Sequence, residues 1–272
     1  MKPAILEMYD KRPRTLVRNT ILFVLMAVIL VWSWETMDYG GINENGAVVA
    51  RNILDALIRP NEAWLFNFTA TGTSIPLLML ETVAIGFLGT ILGAILALPF
   101  AFLSARNIVG PVMSNVGNTI ISIIRTFPIF ILGLMFIRVT GPGPLAGVLT
   151  IGIASIGMIS KLYVEIIEDI DKGILLALDA TGATRFQKIR YGIIPQLTAN
   201  FISTAIYRFE INVRNATILG LVGAGGIGFT LIAALGAYRW KDAAAALWGI
   251  IVVVLVIEII STKIRSKLVS GE

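Results

Sequence analysis

The chain contains no histidine and no cysteine in its 272 residues. The first absence removes the commonest general base and the commonest metal ligand. The second removes thiol nucleophiles, thiolate metal sites and disulfides, and leaves the redox compartment unreadable. Charge is scarce as well: 14% of the residues are Asp, Glu, Lys or Arg, against about 25% in soluble domains. In their place, 56% of the residues are hydrophobic and the mean hydropathy is +0.84. This is the composition of an integral membrane protein. No G-x-x-x-x-G-K-[ST] run occurs, so the chain lacks the usual loop for holding ATP phosphates. The formal net charge of +5 points to cytoplasmic loops rather than to a nucleic-acid surface.

A membrane crossing needs about 20 mostly apolar residues. Six runs qualify, at about 16–37, 74–104, 118–139, 145–167, 197–222 and 243–262. The first carries "ILFVLMAVILVWSW", with Trp32 and Trp34 at the level of an interfacial aromatic belt. No small-residue cleavage site follows it, so it reads as a retained anchor. Residues 1–15 and 263–272 are expected as cytoplasmic tails, 38–73 as an extracytoplasmic segment with a short interfacial helix, and 74–262 as the core. Within the second span Gly89 and Gly93 form a G-x-x-x-G pair suited to close helix packing. Arg125 and Pro128 predict a broken third span, with Arg125 satisfying the carbonyls freed there. "TGPGP", residues 140–144, is a tight turn outside the membrane.

With six alternating spans, Arg18, Arg106, Lys172, Arg185, Lys188, Arg190, Lys263, Arg265 and Lys267 share one side with Lys2, Lys11, Arg12 and Arg14. Only Arg51, Arg59, Arg138, Arg239 and Lys241 fall on the other. The positive-inside rule therefore places both termini in the cytoplasm.

"GLVGAGGIGF", residues 220–229, contains Gly223, Gly225 and Gly228 at the spacing of a dinucleotide-binding turn, with Asp242 further on. That turn needs a buried strand before it. Here "TAIYRFEINVRNATIL" precedes it, helical in length and carrying Arg208, Glu210 and Arg214. The glycines, Gly226 among them, instead let the chain leave a helix at the outer surface. Such backbone is tolerated at membrane depth only where protein buries it or a wet cavity adjoins it.

The polar stretch "DKGILLALDATGATRFQKIRYGIIPQ", residues 171–196, predicts two short helices meeting at Gly182. Asp171 caps the first; Thr184 with Gln187 fits a capping box for the second, which Gly192 and Pro195 end. Ile174, Leu175, Leu178, Phe186 and Ile189 offer more apolar surface than a connector needs, and such a face suits a groove on a partner. This loop resembles the cytoplasmic coupling loop of bacterial ATP-binding-cassette importer permeases, whose pattern is E-A-A, three residues, Gly, and a Pro thirteen residues later. Ala177, Gly182 and Pro195 fit that spacing; Leu176 and Leu178 replace the Glu and the second Ala, Gly192 stands at the usual Ile, and Asp179 is the nearest acid.

The longer run "ATGATRFQKIRYGIIPQ", with "YRFEINVRNATILGLVGAGGIG" after it, is similar to the phosphonate importer permeases. "RTFP", residues 125–128, resembles an Arg-x-x-Pro element of several importer permeases. The resemblance runs from about Ser74 to the C-terminus and is most specific over 180–228. It implies an all-α, type I importer permease in the bacterial cytoplasmic membrane, acting as a homodimer. Each copy would dock one ATPase through Ala177, Leu178, Asp179, Ala180, Thr181, Gly182, Ala183, Thr184, Phe186 and Pro195. ATP and magnesium would sit on the ATPase, with no cofactor in this chain. A solute-binding protein would deliver phosphonate, phosphite or phosphate to the outer face.

Charges inside the spans need reasons, since an arginine at a helix centre costs roughly 2.5–3.5 kcal/mol on insertion scales. Glu210 and Arg214 are spaced to pair along the fifth span. Alternatively, Arg125, Arg208 or Arg214, with Asn212 and Asn215, faces an oxyanion path. Lys161 and Glu165 are spaced as an interfacial pair. Two other classes fit less well. A gradient-driven secondary transporter would show internal repeats, and the halves show none that convinces. An intramembrane enzyme would need clustered acids or a serine with a base, yet the acids gather only as Glu165, Glu168, Asp169 and Asp171, at an interface.

Overall fold

The computed structural model describes residues 15–37, 45–66 and 74–270. Lys2, Lys11, Arg12 and Arg14 of the expected tail lie outside these residues, as do 38–44, 67–73 and the last two positions. Every regular element among the described residues is helical. The chain divides into two compact units, Met1–Arg51 and Asn52–Glu272. In the first, α1 (Thr15–Thr36) covers the expected anchor and carries Trp32 and Trp34 in its last turn. The 38–73 segment holds two helices where one is expected, α2 (Gly46–Ile58) and α3 (Glu62–Leu65).

The second unit is built on α4 (Ile75–Ser104) and α8 (Pro144–Glu168). Their backbones nearly touch. A Cβ on Gly89 would stand 2.7 Å from Ile151 Cβ, and one on Gly93 would stand 2.7 Å from Ser155 Cβ and 2.8 Å from the Gly152 carbonyl oxygen. Lipid tails are as apolar as leucine, so helices in a bilayer associate by close packing and polar contacts rather than by water exclusion. The G-x-x-x-G reading as a packing device is what the structure shows. A third long helix, α11 (Ile194–Gly220), lies across this pair, with Val213 against Gly86. At the inner end Ala97, Ala101, Ile159, Tyr163, Ile193 and Phe201 close the core.

Between α4 and α8 come α5 (Arg106–Val109), α6 (Pro111–Thr126) and α7 (Ile129–Thr140). The expected kink is a sharp break: α6 and α7 meet at 78°. Pro128 caps α7 in an extended conformation, having no N–H to continue the helix. After α8 the chain forms α9 (Lys172–Ala180) and α10 (Arg185–Gln187), then a π-helical segment, Lys188–Ile193, that runs directly into α11. Gly192 and Pro195 therefore do not end the second short helix. Pro195 falls in the first turn of α11, where a missing N–H is tolerated, and the wider π turn absorbs the junction.

Beyond the glycine turn, α12 (Ile227–Gly236) is an additional short apolar helix absent from the sequence reading. Finally α13 runs from Trp240 to Ser270, so Lys263, Arg265 and Lys267 ride on a helix rather than in a tail. By length and composition α1, α4, α8 and α13 can each cross a membrane, and the bent α6–α7 pair passes the same test only when its two halves are taken together. With 27 residues α11 is also long enough; the charges at Arg208, Glu210 and Arg214 set it apart.

Because neither backbone can yield at Gly93, Gly93→Leu is expected to overpack the α4–α8 contact by about 1–3 kcal/mol. Thermal denaturation in detergent checks this. The midpoint should fall by several degrees, whereas Gly236→Ala, with nothing within 4 Å of the added methyl, should leave it unchanged.

Candidate functional site

Three groups of residues converge along α11: the glycine turn at its outer end, the charges along its length and the loop that feeds its inner end. In the turn, Gly223, Gly225 and Gly226 have φ of +94°, +86° and +74°. A side chain at Gly225 or Gly226 would be strained in that conformation and would also strike Pro144 or Thr82. Two residues of α4 hold the turn. Gly226 N–H donates to Glu81 Oε1 at 3.0 Å, and Ile227 N–H donates to Thr82 Oγ1 at 2.9 Å. From the other side, Gly143 N–H donates to the Gly223 carbonyl at 2.9 Å, tying the 140–144 turn to the glycine turn. At Gly228 a side chain would collide with the Thr217 carbonyl. The Gly226 and Ile227 N–H groups are already taken, and a helix, not a strand, precedes the turn. The dinucleotide pattern is therefore a turn between α11 and α12 held by α4. Glu81 and Thr82 stand 145 residues from their partners, which is why sequence reading missed them.

The charges on α11 sort into two sets. Arg214 Nη2 lies 2.6 Å from Glu210 Oε1 and 3.4 Å from Glu258 Oε2, while Arg265 Nη2 reaches Glu210 Oε2 at 4.0 Å. Arg265 also stacks over Tyr207, 5.3 Å from the ring centre. These residues form one network that fastens α13 to α11, with Glu210 buried at its centre. The predicted Glu210–Arg214 pair is present; Glu258 and Arg265, on α13, complete it. Asn212 is fully buried and donates to Thr90 Oγ1 at 2.9 Å and Ser155 Oγ at 2.8 Å. It thus pins α11 to α4 and α8. Asn215 donates to Asn212 Oδ1 at 3.5 Å. Glu210, Asn212 and Arg214 are thus engaged in holding helices together, while Asn215 bonds within α11.

Arg208 differs. It is partly buried, its Nε is enclosed with no hydrogen-bond partner, and no acid pairs with it among the described residues. Arg125 does not bond the carbonyls freed at the α6–α7 break as expected. Its chain passes over Gly157, and it lines a cavity between α6 and α8. Among the described residues, then, neither the partly buried Arg208 nor the exposed Arg125 has an acid paired with it.

At the inner end Asp171 accepts from Gly173 N–H and caps α9, while Thr184 and Gln187 form the predicted capping box. Gly182 turns the chain at φ +73°, with its N–H donating to the Asp179 carbonyl at 2.9 Å. The apolar surface differs from the expected set. Ile189 turns inward against the core, Leu178 covers Gly192, and Ile174 is half-buried. The described residues leave out the Leu175 side chain. Among the described side chains, Leu176, Phe186, Tyr191 and Ile194 are the large apolar ones that stand exposed here. Asp179 is paired with Lys188 across the loop, and this pair joins α9 to the π segment. Ala177, Ala180 and Thr181 are exposed along the same helix and its cap, Ala183 is half-buried, and Pro195 is exposed at the start of α11.

Residues 97–268 match the binding-protein-dependent transport system inner membrane components, and the chain belongs to that family. It is thus an inner-membrane permease subunit that works with a binding protein and is not an enzyme on its own. It is 36% identical over 188 residues to the phosphite transport system permease protein PtxC of Stutzerimonas stutzeri, covering 69% of this chain and 68% of that one. It is 35% identical over 204 residues to the phosphate-import permease protein PhnE of Mycolicibacterium smegmatis, covering 75% of this chain and 38% of that longer one. Its fold is similar to a chain of the inward-facing MetNI methionine ABC transporter, at a TM-score of 0.62 and 22% identity, over 71% of this chain and 95% of that one.

The two sets of charges predict opposite behaviour. Glu210→Ala strips the network of its buried acid and is expected to destabilise the protein by about 3 kcal/mol or more, whereas Arg208→Ala removes a cation without a partner and should cost little. Denaturation of the two variants in detergent checks this; equal losses would place Arg208 in the structural set.

Proposed function

We propose that this chain is the permease subunit of an ATP-driven importer for phosphonate or a related oxyanion such as phosphite or phosphate. The observation that carries the reading is Arg208, partly buried in α11 with no acid paired to it among the described residues. A cation held inside a membrane bundle without a counter-ion lowers the electrostatic cost of an anion entering, and without a deep well it does not trap that anion. The names of the phosphite and phosphate permeases to which the chain is similar point to the same ligand class.

In this reading two copies form the path. Arg214 and Glu258, about half exposed on a single chain, would then be covered by the second copy rather than by lipid. Each copy docks one ATPase, which holds ATP and magnesium, against the loop 171–195. Leu176, Phe186 and Tyr191 supply the apolar contact, and Gly182 supplies the turn between the two short helices. The solute-binding protein delivers the anion to the outer face, where the Gly223–Gly228 turn, clamped by Glu81 and Thr82, serves as the gate.

The missing cysteines allow a direct test. Ala183→Cys is expected to yield one crosslink per permease to a co-expressed ATPase, in a complex of two permeases and two ATPases by intact mass. Transport that persists in a preparation free of any ATPase would overturn the importer reading. In the same complex Arg208→Ala should lower oxyanion uptake at least tenfold while ATPase docking is unchanged, and Arg208→Lys should recover part of it.

A further inference from the structure

The helix α6 (Pro111–Thr126) presents three distinct faces. Ser114, Gly117 and Ile121 are buried against the core, with Ser114 Oγ donating to the Ser104 carbonyl at 2.6 Å. Met113, Val116, Ile120 and Ile123 form an exposed apolar face that suits lipid. On the remaining side Asn115, Asn118, Thr119, Ser122 and Arg125 fall within an arc of roughly 120° at 100° per residue. A polar stripe along a helix at membrane depth lines water, because lipid offers its groups no partners.

That stripe forms one wall of a cavity of about 510 Å³ whose other wall is the inner third of α8. Arg106, Arg125 and Lys161 line it, against the single carboxylate of Glu168. Glu168 Oε1 is already bound, accepting from Arg106 N–H at 2.7 Å. Lys161 Nζ pairs with Glu165 Oε1 at 3.6 Å, the i, i+4 ion pair its spacing predicts, so Arg125 and the Arg106 guanidinium are the lining cations with no acid paired to them among the described residues. The cavity extends from Arg125, beside Gly157 near the middle of α8, to Arg106 and Glu168 at its inner end. It is therefore a basic, polar vestibule that begins at Arg125 and runs to the C-terminal end of α8.

We propose that this vestibule is an inward-facing oxyanion site, occupied by the transported phosphorus oxyanion on its way out to the cytoplasm. The assignment rests on the importer reading above and extends it to residues outside α11. Lys161 and Arg106 hold the anion below Arg125, and Asn115 and Asn118 line its passage.

Ser122→Cys places the chain's single thiol midway along the stripe, and Thr119→Cys serves if that variant fails to assemble. The permease–ATPase complex is set in phosphatidylcholine nanodiscs, and the thiol is modified with anionic and cationic methanethiosulfonates, each rate taken relative to a free thiol in solution. The anionic reagent should be favoured about tenfold or more, as focused fields in charged clefts produce. Inorganic phosphate and phosphite should slow it, chloride at equal ionic strength should not, and Lys161→Gln or Arg106→Gln should each reduce the preference. Equal relative rates, a thiol closed to both reagents, or no protection by phosphate overturns the proposal. So does protection that appears only when phosphatidylglycerol replaces phosphatidylcholine, which would assign the site to a lipid headgroup. Uptake by the cysteine-free parent separates the failures: a parent that imports phosphite but shows no anion preference at the thiol loses only the vestibule. A parent that imports no phosphorus oxyanion loses both readings.

Discussion

The near contact of the α4 and α8 backbones is the constraint on which the rest of the molecule depends. Two helices this close leave no room for side chains between them, so their facing positions are occupied by Gly89, Gly93 and Gly152. Close approach in turn brings Thr90 and Ser155 within reach of one side chain, and Asn212 of α11 takes both. That polar contact fixes the rotation and depth of α11 against the pair. Where α11 sits then decides where its charges lie and where its outer end meets Glu81 and Thr82. A single packing event thus orders the helix that carries the unpaired arginine and the turn between α11 and α12.

Charges within the bundle obey a simple division. Those between helices are paired: Glu210 lies buried beneath Arg214 and Arg265, and Glu258 completes the set from α13. Removing one member would strand a buried charge, so such a network is costly to break even where it adds little to stability. Arg125 on the open side of α6 and Arg208 on the inner part of α11 have no acid paired with them among the described residues.

Much of this was legible in the residue order. Span lengths, the Gly89–Gly93 pair, the break near Pro128, the capping box at Thr184 and the Glu210–Arg214 pair are local patterns with fixed spacings. They appear in the structure because nothing distant overrides them. The misses are non-local or lie below the length of a span. Glu81 and Thr82 act on residues that no spacing rule connects to them. With 10 residues, α12 is too short to register as a crossing, although Gly226 before it and Gly236 at its end mark both limits. The inward turn of Ile189 follows from the π segment, whose wider turn rotates side chains away from the helical register used to predict their face. The stripe on α6 was readable, since Asn115, Asn118, Thr119 and Ser122 recur at helical spacing, but Arg125 drew attention as a kink residue.

The unbroken passage from the π segment into α11 has a mechanical consequence. With 27 residues, α11 is a stiff rod of about 40 Å. One end is fixed to the cytoplasmic loop by Lys188 and Asp179, and the other ends in glycines hinged on α4. Pivoted at Asn212, a tilt of about 10° in such a rod displaces its inner end by roughly 5 Å and its outer end by roughly 2 Å. The loop and the outer turn are therefore two ends of one lever, with Asn212 as its fulcrum. Arg208 lies on the inner arm, four residues from the pivot, where the same tilt moves it little.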